Sequence, residues 1–157
     1  MAKKKKNIVM YFSMFGKNEK IADIISIEFD ALKIKIATSG WGLLKIPMHM
    51  LRGLLERDVV MIPNTNLQDY NMIYIGGPVW AGKPCPALMD LIRKIHIKGK
   101  NVVLFLTAKD DFGNAEELLR EAVKKKGAEV KALFRFLTSE NEEKIKKRFK
   151  EKGLSFD

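Results

Sequence analysis

The sequence predicts one α/β domain built on a doubly wound, five-stranded parallel sheet. Three observations predict it. Apolar runs of strand length alternate with amphipathic runs of helix length along the whole chain. Two of the strand runs, MIYIGG (72–77) and NVVLFLT (101–107), are almost continuously apolar, as strands covered on both faces are. No repeat or linker divides the 157 residues, a length usual for one domain, so residues 1–157 form a single unit.

The elements follow in order. NIVMYF (7–12) is short and β-rich, and opens the sheet. Ile21, Ile24, Ile25 and Phe29 recur at helical spacing, which predicts a helix over 18–29. LKIKIA (32–37) alternates as a half-buried strand does, at a sheet edge. MIYIGG is the third strand, and PALMDLIRKI (86–95) is a helix entered through prolines. NVVLFLT is the fourth strand. AEELLREAVKKK (115–126) begins in acid, ends in base and is followed by Gly127, all helix signals. EVKALFRF (129–136) returns as the fifth strand, and 140–152 closes the chain as a charged helix. The segment from Thr38 to Tyr70 fits the alternation least well. Pro47 interrupts its helix-like stretch, and Trp41, Met48, Met50, Leu51, Leu54 and Leu55 read either as core or as a lid over a ligand site.

Composition bounds the function. The chain is 46% hydrophobic, enough for a sizeable core. No apolar run approaches the ~20 residues of a membrane span, which predicts no membrane partner. The opening MAKKKKNIVMYFSMFG mimics a signal peptide, but its apolar run is short, lacks a small-residue cleavage site and continues into a strand. Cys85 is alone, which excludes an internal disulfide and suits a cytoplasmic location. It sits in KPCP near a helix start, readable as a reactive thiol or as a packed small residue. Net charge is +10, carried by Lys3 to Lys6, Lys124 to Lys126 and a sign-alternating stretch from Lys144 to Lys152. That spread pattern is the pattern of solvated faces, without aromatic interleaving, and predicts no nucleic-acid partner. His49 and His96 lack metal-ligand spacing, and no Ser-His-Asp or H-E-x-x-H arrangement can be built, so no catalytic or metal residue is assigned.

Candidate chemistry lies at three turns: SMFGKN after the first strand, GGPVWAGKP after the third and TAKDDFGN after the fourth. A doubly wound sheet brings those turns to one rim, where such folds bind ligands. In the first, unpartnered amides at a helix start favour an anion, and Ser13, Lys17 and Asn18 add donors. The pattern matches neither G-x-x-x-x-G-K-[ST] nor G-x-G-x-x-G, against a nucleoside triphosphate or a dinucleotide. Alternatively Asn18 only caps the helix. In the second, Gly76, Gly77 and Gly82 permit close backbone approach while Pro78 and Pro84 stiffen the turn. Trp80, partly exposed on a rigid loop beside an anion site, suits a planar ring attached to a phosphate.

YFSMFGKNEKIA and YNMIYIGGPVWAGKP resemble the two signature loops of the flavodoxin-like family, commonly YxSxTGNTxxxA and YDxIxxGxPVWxGxxxP. SGWGLLK, ahead of the second loop, also recurs in some members, and the resemblance spans about residues 6–138. It implies strand order 2-1-3-4-5 and bound FMN. Ser13, Met14, Phe15, Gly16, Lys17 and Asn18 would form the phosphate loop; Pro78, Val79, Trp80, Ala81 and Gly82 would line the flavin. Thr107, Ala108, Lys109 and Asp110, with Gly113, would flank its pyrimidine edge. Phe15 and Asn18 stand where the family usually has threonines and Lys17 where it has asparagine, so two hydroxyl donors are missing and Lys17 offers a point charge. Family behaviour implies that a backbone carbonyl near Gly82 turns toward the flavin when it is reduced. Asp110 and Asp111 would lower the flavin's potential, or form an ordinary acidic turn.

The implied function is a redox protein carrying electrons between protein partners, with the basic surface suiting an acidic partner. The alternatives are an NAD(P)H-dependent reductase of quinones or other small acceptors, and a flavin-free interaction module. A receiver domain of the same topology is excluded: Gly76-Gly77-Pro78 and Ser13-Met14 stand where its acceptor aspartate and acidic pair belong. Oligomeric state is not readable.

Overall fold

The computed structural model describes residues 6–38, 60–61 and 65–152. The elements are β1 (Asn7–Tyr11), α1 (Lys17–Glu28), β2 (Ala31–Lys35), β3 (Ala37–Thr38), β4 (Val60–Met61), β5 (Met72–Trp80), β6 (Lys83–Pro84), α2 (Pro86–Lys94), β7 (Asn101–Ala108), α3 (Ala115–Lys125), β8 (Glu129–Leu137) and α4 (Glu142–Glu151). The main sheet is parallel in the order β2-β1-β5-β7-β8, which is 2-1-3-4-5 when its long strands alone are counted. β6 folds back antiparallel on the end of β5, and β3 pairs antiparallel with β4. Of the Thr38–Tyr70 segment, the apolar helix-like stretch with Pro47, and with it the choice between core and lid, lies outside the described residues.

Period-two alternation divides the core between the faces. On one face Ile8, Met10, Ile73, Ile75, Leu104 and Leu106 meet Leu88 and Leu91 of α2 and Leu119 and Val123 of α3. On the other Val9, Tyr11, Tyr74, Val103 and Phe105 meet Ile21 and Ile25 of α1 and Ile145 and Phe149 of α4. The expected helices on both faces are therefore present. A bulge opposite Val102 and Val103 lets Lys131 of β8 stand out of register, and returns Ala132, Phe134 and Phe136 to the second face. Phe149 packs against Phe134 at 4.6 Å, Phe136 at 5.5 Å and Phe29 at 5.9 Å between ring centres.

Two strands close the sheet, and both are charged. β2 exposes Leu32, Lys33 and Lys35, and β8 exposes Glu129, Lys131, Arg135 and Leu137. Register across the sheet places Ala31, Asn7, Met72, Asn101 and Glu129 in one row at its amino edge. The loops that follow the strands converge on the opposite edge.

Candidate functional site

Gly16, at φ 88°, ends the first strand-to-helix turn, and its conformation is one that a side chain resists. Its N–H donates to Ser13 Oγ at 3.1 Å, which folds SMFG into a tight loop. The helical ladder starts with Lys20 N–H on Gly16 O at 3.1 Å, so the amides of Lys17, Asn18 and Glu19 lie ahead of it. Ser13 is buried, and because its oxygen accepts from Gly16 its hydroxyl proton remains available to a ligand. Loop and dipole together make a seat for a small anion.

Asn18 caps nothing: Gly16 is the N-cap residue and α1 has no side-chain cap bond. The capping alternative is corrected here, because Asn18 sits one residue inside the helix with its side chain turned inward. It is 3% exposed, and its Nδ2 donates to Thr107 Oγ1 at 2.8 Å, tying the first loop to the end of β7. Its Oδ1 is buried and has no partner. Exchanging the amide's two ends would let the Thr107 hydroxyl donate to the oxygen and leave Nδ2 as a donor for a ligand. Lys17 reaches elsewhere: its Nζ donates to the carbonyl of Glu140, in the turn between β8 and α4. Phe15, at the tip, is 81% exposed, and Met14 packs against the core.

GGPVWAGKP is strand where a loop is expected. Gly76, Gly77, Pro78, Val79 and Trp80 complete β5, and Ala81 (φ 50°) and Gly82 (φ 72°) form the two-residue turn into β6. The reason is clearance. A Cβ on Gly76 would lie 2.2 Å from the Phe105 ring, so the glycine serves packing within a strand. Trp80 is half-buried, edge-on to Phe12 at 5.9 Å. Cys85 is fully buried, in keeping with the packed-residue reading.

The third loop closes on the second. Gly113 (φ 49°) lies so close to Gly82 that a Cβ on it would come within 2.6 Å of Gly82 Cα, and Asn114 N–H donates to Gly82 O at 2.9 Å. Gly82's own carbonyl is therefore engaged. Asp110 and Asp111 turn their carboxylates inward on the loop, accepting from Asp111 N–H at 2.8 Å and Gly113 N–H at 2.9 Å. Thr107 and Ala108 are buried beneath the rim, whereas Lys109 is exposed on it. Sequence reasoning missed Phe112, a half-buried aromatic of this loop with the Arg135 guanidinium 5.6 Å from its ring centre. An aromatic beside a rim glycine was the available signal. It also missed Asn114 and Glu140, which meet the site through a backbone N–H and a backbone carbonyl and left no signal there.

Two tyrosines flank the first loop's strand. Burial, followed by the hydrogen bond to Glu19 at 3.2 Å, pushes the Tyr11 phenol up to about 12. Burial alone raises Tyr74, whose hydroxyl has no partner. At the far side of the rim, burial works against ionisation of Glu140, but hydrogen bonds from Leu137 N–H and Arg148 outweigh it and hold the carboxyl below its usual range. Among the described residues no cluster of His, Cys, Asp or Glu could hold a metal, and no helix is long and apolar enough to cross a membrane.

Solved structures similar to this one share that architecture. A putative flavoprotein from Bacteroides uniformis superposes with a TM-score of 0.77 at 23% identity, covering 94% of this chain and 99% of that one. A flavoprotein in complex with FMN from Lactobacillus acidophilus gives 0.70 at 22% identity, over 84% and 93%. A flavodoxin from the domain Archaea gives 0.64 at 17% identity, over 94% and 93%. No family model matches the chain, and no curated protein does. The fold is flavodoxin-like.

Proposed function

We propose that this chain is an FMN-binding redox protein that carries electrons between protein partners. The observation that carries the reading is the convergence of three loops on one rim. One is an anion seat beside the buried Asn18 amide, which once its two ends are exchanged offers Nδ2 as a further donor, and the other two meet through Gly82 and Gly113. A flavoprotein of the same fold is crystallised with FMN, which supports the choice of group. FMN would supply the electron-accepting ring. The α1 amides and Ser13 would hold its phosphate; Trp80 and the Ala81–Gly82 turn would orient its ring, and Phe112 would exclude water beside it.

The fit is sound without the two family threonines, because Ser13 Oγ–H and the amides of Lys17, Asn18 and Glu19 remain as donors. Lys17 joins them only by leaving the Glu140 carbonyl. Lys17→Ala is expected to weaken FMN binding about tenfold, measured by flavin fluorescence quenching. Unchanged affinity would assign the ammonium to Glu140 alone.

Purified protein should be yellow and release FMN on denaturation; a colourless protein indifferent to added FMN overturns the proposal. Mixing the yellow protein anaerobically with NADH or NADPH tests the carrier role. No bleaching is expected, and rapid bleaching would make the chain a reductase instead.

A further inference from the structure

The lysines that look dispersed in the sequence converge on one pole. The loop between α2 and β7 and the loop between α3 and β8 are stitched together at the sheet's amino edge. Gly99 N–H donates to Gly127 O at 2.9 Å and Glu129 N–H to Lys100 O at 2.9 Å. Lys98 lies against Gly127, and Lys126 Nζ donates to Arg93 O at 3.0 Å. Lys6, the last of four consecutive lysines, enters the same edge, its carbonyl accepting from Asn71 N–H at 2.7 Å. Lys6, Lys98, Lys124 and Lys125 are exposed and make no ion pair among the described residues. The acids at this edge are Glu28, Asp30, Asp69, Glu129 and Glu151, of which Glu129 pairs with Lys131 at 2.8 Å and Glu151 with Lys147 at 3.8 Å. The candidate cofactor rim is mixed at its helix starts, with Glu116 and Glu117 on α3 and Glu142 and Glu143 on α4 but Lys17 and Lys20 flanking Glu19 on α1. Pole and rim are separated by the length of β5, about 26 Å at 3.3 Å per residue.

We infer that this basic pole docks the protein on an anionic bilayer surface, with the cofactor rim turned away from it. The chemistry selects that occupant. The available cations are lysines, compact hydrated charges that attract an anionic surface without needing matched geometry. Of the large apolar side chains exposed among the described residues, only Ile27, in the last turn of α1, and Leu32, early in β2, stand near this edge, and neither is an aromatic or arginine anchor of the kind that carries a specific protein interface. It also lacks the aromatic platforms of single-stranded nucleic-acid readers. The expectation of no membrane partner rested on the absence of an apolar span, which such docking does not require. Nor does the inference depend on FMN, since the pole is complete in the polypeptide.

The test is sedimentation of the full chain with vesicles of phosphatidylcholine, with and without phosphatidylglycerol. Binding is expected only to the anionic vesicles and is expected to fall as salt rises. Lys98→Glu with Lys124→Glu and Lys125→Glu should lower the partition coefficient at least ~100-fold, since each lysine near such a surface contributes roughly fivefold, and reversal doubles the change in free energy. Lys20→Glu with Lys35→Glu and Lys83→Glu removes the same charge from the rim half and should leave binding within about threefold. Circular dichroism checks that both variants fold. Equal losses from the two variants would reduce the effect to net charge and overturn the inference. So would failure to bind anionic vesicles, or pole-dependent retention of duplex DNA or polyglutamate under salt that releases the vesicles.

Discussion

Asn18 and Tyr74 each bury a polar atom that no group among the described residues satisfies, and they differ in what surrounds them. Asn18 lies beside an anion seat, at a place where a ligand can meet it. Tyr74 lies between strands and helices, stacked on Phe29 at 5.4 Å, its hydroxyl without a hydrogen-bond partner among the described residues. An unmet buried hydroxyl costs about 1–3 kcal/mol. Tyr74→Phe should therefore raise stability by about 1 kcal/mol, read as a higher urea midpoint with an unchanged slope. Tyr11 titrates in a window of its own. Its folded pKa is above the unfolded value of 10, so the folded state holds the proton longer. Stability should be level below pH 10 and fall as pH rises from there toward about 12, and Tyr11→Phe should flatten that limb of the denaturation profile.

At the level of elements, Gly113→Ala tests the closure of the second loop on the third. A side chain there both opposes φ 49° and meets the Gly82 backbone. FMN affinity should fall by roughly tenfold or more while far-UV circular dichroism stays native. The β8–α4 turn is sensitive to acid. Glu140 is depressed in the folded state, so its stabilisation is complete above the ordinary carboxylate range and is lost as pH drops through it. Glu140→Gln should remove that part of the acid limb in pH-dependent unfolding. Element boundaries were legible because apolar runs and charge gradients are local: β1, α2, β7 and α3 fall within a residue or two of their expected spans. The strand expected at 72–77 runs on through Pro78, Val79 and Trp80, because its pairing with β7 and with the returning β6 outweighs the turn chemistry of Gly-Gly-Pro. Bonds such as Lys17 to Glu140 and Asn18 to Thr107 join residues 123 and 89 positions apart and leave no periodic trace.

Across the whole molecule, the sheet order and both packed faces follow from the alternation in sequence. The distribution of charge does not. Lys6, Lys98 and Lys125 share a pole only because four parallel strands start in register, a fact of topology rather than of spacing. The same topology turns the basic excess away from the candidate site, so any molecule approaching the rim meets mixed charge instead of a cationic face. The open edges of the sheet carry a different consequence. A second copy adding a strand to β2 would have to lay its backbone along Lys33 and Lys35, and one adding to β8 along Glu129, Lys131 and Arg135. Those side chains keep their solvation only while the edges stay unpaired. Charge on both outer strands thus disfavours strand addition by a second copy, a built-in guard against edge-to-edge association.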